Sequence, residues 1–129
     1  MLKLSESFNS FSVNDLQAAK KFYSETLGIT VTEEKDMGLK MQFPSGGVTF
    51  IYEKEDHEPA TFTILNFPTD NIEESVEELK GKGVKFEELS LGDAKTDEMG
   101  IMRGKEHDMG PNMAWFKDPA GNWLAIMEE

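Results

Sequence analysis

The densest group of titratable side chains beside the expected site lies in one charged segment, 103–108. Cysteine is absent, and the two histidines are His57 and His107. His107 lies between two acidic residues and could act as a proton shuttle, and Glu53 is a second candidate acid or base. Arg103, the single arginine, could hold an anionic group with its planar guanidinium. The alternative for this segment is a solvent-exposed hairpin tip.

Composition limits the partners that such residues could serve. A chain of 129 residues with 38% hydrophobic and 29% charged residues predicts one globular domain. The net charge of −12 argues against nucleic acid and anionic membranes as partners. The N-terminus does not resemble a secretory signal, and no apolar stretch predicts a membrane helix, so a cytoplasmic location is expected.

One order of elements, strand, helix and three strands, occurs twice in the sequence. Asp15-Leu16 matches Asn71-Ile72 at the start of each predicted helix, and the turn 45–47 matches the turn 119–121. This duplication predicts a first module over 7–54, a linker over 55–60 and a second module over 61–129. An extra segment, 91–110, is either a third strand with extended loops or a lid over a site. The predicted strands are 8–13, 29–34, 39–43, 48–52, 61–67, 84–89, 112–116 and 122–127.

Three segments resemble one protein family. SVNDLQAAKKFYSETLG (12–28) resembles the opening of the vicinal-oxygen-chelate superfamily, WFKDPAGNWLAI (115–126) resembles its C-terminal signature, and 70–84 resembles its second-module helix. The superfamily includes glyoxalase I, bleomycin-resistance proteins, fosfomycin-resistance enzymes and extradiol dioxygenases. The resemblance implies an α+β fold in which tandem βαβββ modules form an incompletely closed mixed sheet around a concave cleft.

Strand alternation sorts side chains between the module helices and the implied cleft. Phe11 and Val13 are expected to face the first helix. A register error of one residue would reverse every such assignment within a strand. The residues expected to face the cleft are Phe8, Ser10, Ser12, Thr49, Ile51, Glu53, Ile64, Asn66, Pro68, Trp123, Ala125 and Met127.

The metal site that the resemblance implies lacks donor side chains in this sequence. Family members hold a divalent metal with two His or Gln side chains on the first strands and two acidic side chains on the last strands of the modules. These positions fall on Phe8, near Ile51, on Ile64 and on Ala125, which are all apolar. The sequence therefore predicts no metal ion and no other cofactor. A relocated site with His57 and His107 is conceivable, but surface positions are favoured.

The same cleft residues predict an apolar, aromatic pocket with a few polar groups, as small-molecule sites have. The alternative is that these side chains fill the space as a packed core. Met102 belongs to a group of methionines around the extra segment, and Trp115 could stack on a planar ligand. The predicted ligand-binding residues are Phe8, Ser10, Ser12, Thr49, Ile51, Ile64, Asn66, Met102, Arg103, Trp115, Trp123 and Ala125.

The expected function is metal-free binding of a small organic molecule, of the sequestration type found among bleomycin-resistance proteins, by a homodimer. The first alternative is a metal-independent enzyme of lyase or transferase type that uses His107 or Glu53, although the sequence contains no nucleophile–base pair at a recognisable spacing. The second alternative is a non-catalytic interaction module. The sequence does not decide whether a reaction is catalysed.

Overall fold

Each half of the chain folds around one four-stranded mixed sheet and one helix in the computed structural model, which describes residues 1–129. Residues 1–59 form the first unit and residues 60–129 form the second. No helix of either unit has the length and apolar character that a membrane crossing requires. The predicted α+β class with repeated βαβββ order is confirmed.

The first unit follows the predicted order closely. Its sheet has the order β1-β4-β3-β2, with β1 parallel to β4 and the other neighbours antiparallel. A short 3₁₀ helix, Leu4–Glu6, precedes it. The elements are β1 (Asn9–Val13), α1 (Leu16–Lys21, followed by a π-helical turn over Phe22–Thr26), β2 (Thr30–Glu34), β3 (Gly38–Gln42) and β4 (Val48–Glu53).

Helix α1 begins where the sequence predicts because Asp15 satisfies its first free N–H groups. The Asp15 carboxylate accepts hydrogen bonds from the backbone N–H groups of Gln17 and Ala18, both at 3.1 Å. The helix then buries Ala19 and Tyr23 against the sheet. The ring of Tyr23 lies 5.8 Å from the ring of Phe11 on β1, which confirms that Phe11 faces the helix.

The second unit repeats this arrangement with extra segments. Its sheet has the order β5-β10-β9-β8, with β5 parallel to β10, and β6 and β7 form a separate two-stranded hairpin. A short 3₁₀ helix, Gly104–His107, follows β8. The elements are β5 (Thr63–Pro68), α2 (Ile72–Gly81), β6 (Ser90–Leu91), β7 (Ala94–Lys95), β8 (Ile101–Met102), β9 (Asn112–Lys117) and β10 (Trp123–Glu128).

The predicted strand over 84–89 is wrong, because only Phe86 forms a bridge with Phe116. This segment is held by packing of the Phe86 and Phe116 rings, which lie 5.5 Å apart, and by a backbone hydrogen bond of 2.8 Å from the N–H of Glu87 to the oxygen of Trp115. The edge position beside β9 is taken by β8 from the extra segment 91–110. Of the two alternatives for that segment, the structure therefore shows the one with a third strand.

Candidate functional site

The sheet of the first unit has one face under α1 and one open face. Glu33 on β2 accepts hydrogen bonds from Gln17 and Lys20 of α1, and the strand register places Leu39, Ile51 and Phe11 on that same side. The opposite side is named here the first open face. It carries Ser10, Ser12, Lys40, Val48, Phe50 and Tyr52.

Thr49 and Ile51, two predicted ligand-binding residues on β4, lie on the α1 side of the sheet and not on the open face. Thr49 and Ile51 were expected to face the cleft, but both are buried on the α1 side, where Ile51 has 0% exposure. The register explains the error, because Ile51 is paired with Phe11 and Thr49 with Met41. The hydroxyl of Thr49 donates a hydrogen bond of 2.7 Å to the Asn9 side-chain oxygen.

A cavity of about 400 Å³ lies on the first open face. Its walls combine aromatic and aliphatic side chains with a single basic residue, Lys40, and two acidic ones. The predicted residue Phe8 is part of this wall, while Ser10 and Ser12 are not. The lining residues are Ser5, Glu6, Ser7, Phe8, Glu34, Met37, Lys40, Gly46, Val48 and Phe50.

Ser12, on the first open face, forms a hydrogen-bonded pair with His57. The Ser12 hydroxyl oxygen lies 2.7 Å from Nδ1 of His57, and both side chains are half-buried. His57 belongs to the predicted linker, so the bond fastens this segment to β1. This pair supplies the nucleophile–base proximity that no spacing in the sequence revealed.

The second sheet also has an open face, opposite α2. Glu128, whose carboxylate accepts a hydrogen bond of 3.0 Å from the backbone N–H of Ile72, marks the α2 side. Neighbouring positions on β9 and β10 alternate between the two sides. The side opposite α2 is named the second open face and carries Asn66, Pro68, Met102, Met113, Trp115, Lys117, Trp123, Ala125 and Met127.

The sequence predicts that Asn66, Trp123 and Ala125 face the same side of the sheet, and the register of β5 and β10 places them together on the second open face. Ala125 is fully buried and Asn66 is exposed, while the Nζ atom of Lys117 lies 4.8 Å from the centre of the Trp123 ring. Ile64 is the extra residue at a register shift, because Thr63 and Leu65 pair with consecutive residues of β10.

Arg103 is not available as an anion clamp, which corrects the expectation from its sequence context. Its guanidinium donates to the carboxylate of Glu73 on α2, and its Nε atom lies 3.1 Å from Oδ2 of Asp97. The hydrogen bond from Arg103 lowers the pKa of Glu73. Burial raises the pKa of Asp97, but hydrogen bonds from Ile101, Arg103 and Met99 outweigh it and the pKa falls below its ordinary range.

Replacing Arg103 by Met is expected to lower Tm by about 3–5 °C at pH 7, since two carboxylates lose their partner. Both carboxyl pKa values are lowered in the folded protein, so the pairs add stability above the unfolded pKa of about 4. That contribution is lost as the pH falls through the folded pKa. Thermal unfolding of both proteins between pH 3 and pH 8 checks this.

The control for this variant is Lys3→Met, which removes an exposed i,i+3 pair of 3.9 Å with Glu6. We expect a change in Tm of about 1 °C or less, because exposed pairs contribute little. A difference between wild type and Arg103→Met that persists unchanged at pH 3 would contradict the assignment of the two ion pairs.

Glu53 and His107, the two catalytic candidates from the sequence, lie at a helix start and at an exposed surface position. The Glu53 carboxylate accepts a hydrogen bond of 3.0 Å from the backbone N–H of Leu16, so it caps α1 as Glu128 caps α2. His107 is exposed at the end of the short 3₁₀ helix, as the alternative interpretation of its segment predicts. No three His, Asp or Glu side chains of the chain converge as a metal site would require.

The sequence pattern that defines the Glyoxalase/Bleomycin resistance protein/Dioxygenase superfamily matches residues 8–126. This chain belongs to that superfamily. The match covers both units, and it confirms the resemblance carried by the segments 12–28, 70–84 and 115–126. Comparison with curated proteins finds no significant match.

Solved structures show that this superfamily member shares its fold with several distant relatives. A glyoxalase family protein from Enterococcus faecalis is 25% identical, with a TM-score of 0.63 over 94% of this chain and 92% of the other. TnmS3, an antibiotic binding protein from Streptomyces sp. CB03234, is 20% identical, with a TM-score of 0.62 and 95% coverage of both chains. A glyoxalase/dioxygenase from Nostoc punctiforme is 15% identical, with a TM-score of 0.65 over 98% of this chain and 92% of the other.

Sequence reasoning missed most of the cavity in this superfamily member. Strand alternation in the sequence assigns Phe50 and Val48 to the helix side, and no motif gives residues 5–7 of the cavity wall a role. The pairing of Phe50 with Lys40 reveals the correct side, but it follows from the β3–β4 register and not from a local pattern. Met37, which is 69% exposed at the turn between β2 and β3, has no signal in the sequence either.

Proposed function

We propose that this superfamily member binds a small organic molecule on its open sheet faces without a metal ion, as a sequestration protein does. The observation that carries the proposal is the cavity on the first open face. Its volume of about 400 Å³ falls in the range of small-molecule sites, and its wall combines the apolar side chains of Phe8, Met37, Val48 and Phe50 with hydroxyl and charged groups. The antibiotic binding protein TnmS3, which has the same fold, supports a role in binding.

The donor chemistry of the open faces supports the metal-free part of the proposal. Of the positions carried over from the family's ligand set, Phe8 lines the cavity and Ala125 lies on the second open face. The position near Ile51 shifts to Phe50 or Tyr52 once the register of β4 is corrected. The family's ligand set consists of imidazole, amide and carboxylate side chains, and the side chains at these positions include none of these groups.

A metal-independent enzyme is the second candidate, and the Ser12–His57 hydrogen bond favours it. Glu53 and His107, the earlier candidates for this role, are a helix cap and an exposed residue. If the pair acts chemically, replacing Ser12 by Ala abolishes turnover of a bound molecule and leaves its affinity unchanged. If the protein only binds, the molecule recovered after incubation has its original mass, and Ser12→Ala changes nothing.

The proposal includes a homodimeric state and a cytoplasmic location. Exposed apolar side chains support association between copies, since Phe8 is 64% exposed and Phe62 is 68% exposed. The mass of the native protein, measured by mass spectrometry, gives the number of chains directly. A monomer over the whole micromolar range would remove the homodimer from the proposal.

Titration calorimetry with Zn²⁺, Mn²⁺, Ni²⁺ and Mg²⁺ tests the metal-free part. We expect no binding tighter than about 100 µM, because no three suitable ligands converge. Native mass spectrometry of the purified protein tests the binding part, and a small molecule that leaves on denaturation is the expected result. Replacing Phe50 by Ala removes one wall of the cavity, so the bound fraction should fall. Stoichiometric metal binding below 1 µM would overturn the proposal.

A further inference from the structure

Lys40 is the one basic residue in the wall of the cavity on the first open face. Lys40 lies on β3, paired with Phe50 on β4 and with Thr32 on β2, so its side chain projects from the middle of the first open face. It is half-buried. No ion pair and no side-chain hydrogen bond of the protein involves its ammonium group.

An unpaired, half-buried lysine is unusual in this chain, where 25 acidic residues face 13 basic ones. Lys20, on the other side of the same sheet, pairs with Glu33 at 3.1 Å. The Lys40 ammonium group has no ion-pair partner in the protein, so it is available to an anionic group of a bound molecule.

The rest of the wall defines the other properties of the ligand. The aromatic rings of Phe8 and Phe50, with Val48 and Met37, provide apolar surface for a planar body. Glu34 and Glu6, both exposed, are the acidic residues of the lining. Their charges disfavour a ligand with several negative groups, so one anionic group beside an aromatic body fits best.

We propose that this cavity selects aromatic molecules that carry a single anionic group, such as a carboxylate or a sulfonate, through an ion pair with Lys40. The inference rests on the proposed function, because it requires that the first open face binds a small organic molecule. It adds the chemical class of that molecule and the residue that selects it.

The test compares two fluorescent probes that differ mainly in charge. 8-Anilinonaphthalene-1-sulfonate carries one sulfonate, and N-phenyl-1-naphthylamine has the same ring system without it. We expect the anionic probe to bind wild type more tightly than the neutral probe. Replacing Lys40 by Gln should lower the affinity for the anionic probe about fivefold to tenfold and leave the affinity for the neutral probe unchanged. The affinity of Lys40→Arg for the anionic probe should stay within about threefold of the wild-type affinity.

Two further variants locate the effect. Lys21→Gln removes the same charge from an exposed position on α1, and its affinity for both probes should equal that of wild type. Phe50→Ala should weaken both probes, since both use the aromatic wall. Far-ultraviolet circular dichroism of each variant excludes binding to an unfolded fraction, and amide chemical shifts of Lys40 and Phe50 report whether the probes occupy this cavity.

The outcomes separate the inference from the proposed function. If both probes bind equally, and Lys40→Gln changes neither, the anion selectivity is wrong while small-molecule binding stands. If neither probe binds wild type up to its solubility limit, small-molecule binding in this cavity and its anion selectivity both fail. If Lys40→Gln and Lys21→Gln lower the affinity for the anionic probe equally, the net charge of the chain determines binding instead of Lys40. That result overturns the inference.

Discussion

Replacing Gly38 by Ala is expected to lower the free energy of unfolding by about 3 kcal/mol or more. Gly38 opens β3 with φ of 148°, a conformation that side chains rarely adopt. A Cβ atom at this position would lie 2.2 Å from the backbone oxygen of Ile51 and 3.1 Å from Cζ of Phe50. The first of these atoms belongs to the paired strand β4, so the two strands must separate for the variant to fold.

Two glycines of the same protein provide controls that separate the two sources of strain. Gly28 has φ of 75° with open space around it, so Gly28→Ala should cost about 1 kcal/mol through the backbone alone. Gly81, the last residue of α2, has neither problem, and Gly81→Ala should cause no loss. Urea unfolding curves of the three variants measure the order. A Gly38→Ala cost no larger than that of Gly28→Ala would show that β3 and β4 relax without the predicted strain.

The consequence for function follows from the position of Gly38 in the sheet. Residues 38, 40 and 42 of β3 project to the same side, so displacement of β3 also moves Lys40 relative to Phe50. The cavity therefore depends on a glycine that does not line it. Sequence reasoning cannot identify such a residue, because the obstacle is a carbonyl group of a strand 13 positions away.

The strands and helix starts could be predicted from the sequence because their signals are local. Asp15 and Asn71 cap the two helices as their residue types suggest, with side-chain hydrogen bonds of about 3.1 Å. The side assignment of β4 could not be predicted, because its polar residues Thr49 and Glu53 lie on the face that packs against α1, together with Ile51. Period-2 alternation normally places the more polar face away from the helix, and this strand reverses that relation.

The roles of Arg103 and Glu53 depend on partners that are distant in the sequence. Arg103 contacts Glu73, 30 positions away, and no local pattern indicates which carboxylate it will meet. Glu53 and Glu128 both lie near the end of the last strand of a unit, and each accepts a hydrogen bond from the first residue of that unit's helix. The matched turns differ by 74 positions and the two glutamates by 75, so the repeat aligns Glu53 with Met127 and does not indicate the shared capping role.

Replacing Asp118 by Ala is expected to cost about 3 kcal/mol, because three donors lose a buried acceptor. Asp118 closes the turn between β9 and β10 and is 5% exposed. One carboxylate oxygen accepts from the backbone N–H groups of Ala120 and Asn122, both at 2.9 Å, and the other accepts from the Asn122 side-chain amide at 3.1 Å. The side-chain oxygen of Asn122 in turn accepts a hydrogen bond from the backbone N–H of Ala60. Loss of Asp118 therefore also weakens the attachment of the chain before β5.

The corresponding turn of the first unit supplies the matched control for Asp118→Ala. Between β3 and β4, the exposed Ser45 hydroxyl accepts one weak hydrogen bond of 3.4 Å from Gly47. Ser45→Ala should therefore change the free energy of unfolding by less than about 0.5 kcal/mol. Asp118→Asn keeps one acceptor oxygen and should lie between wild type and Asp118→Ala. Urea unfolding of the three variants measures the effect, and equal costs for Asp118→Ala and Ser45→Ala would show that the buried carboxylate does not hold this turn.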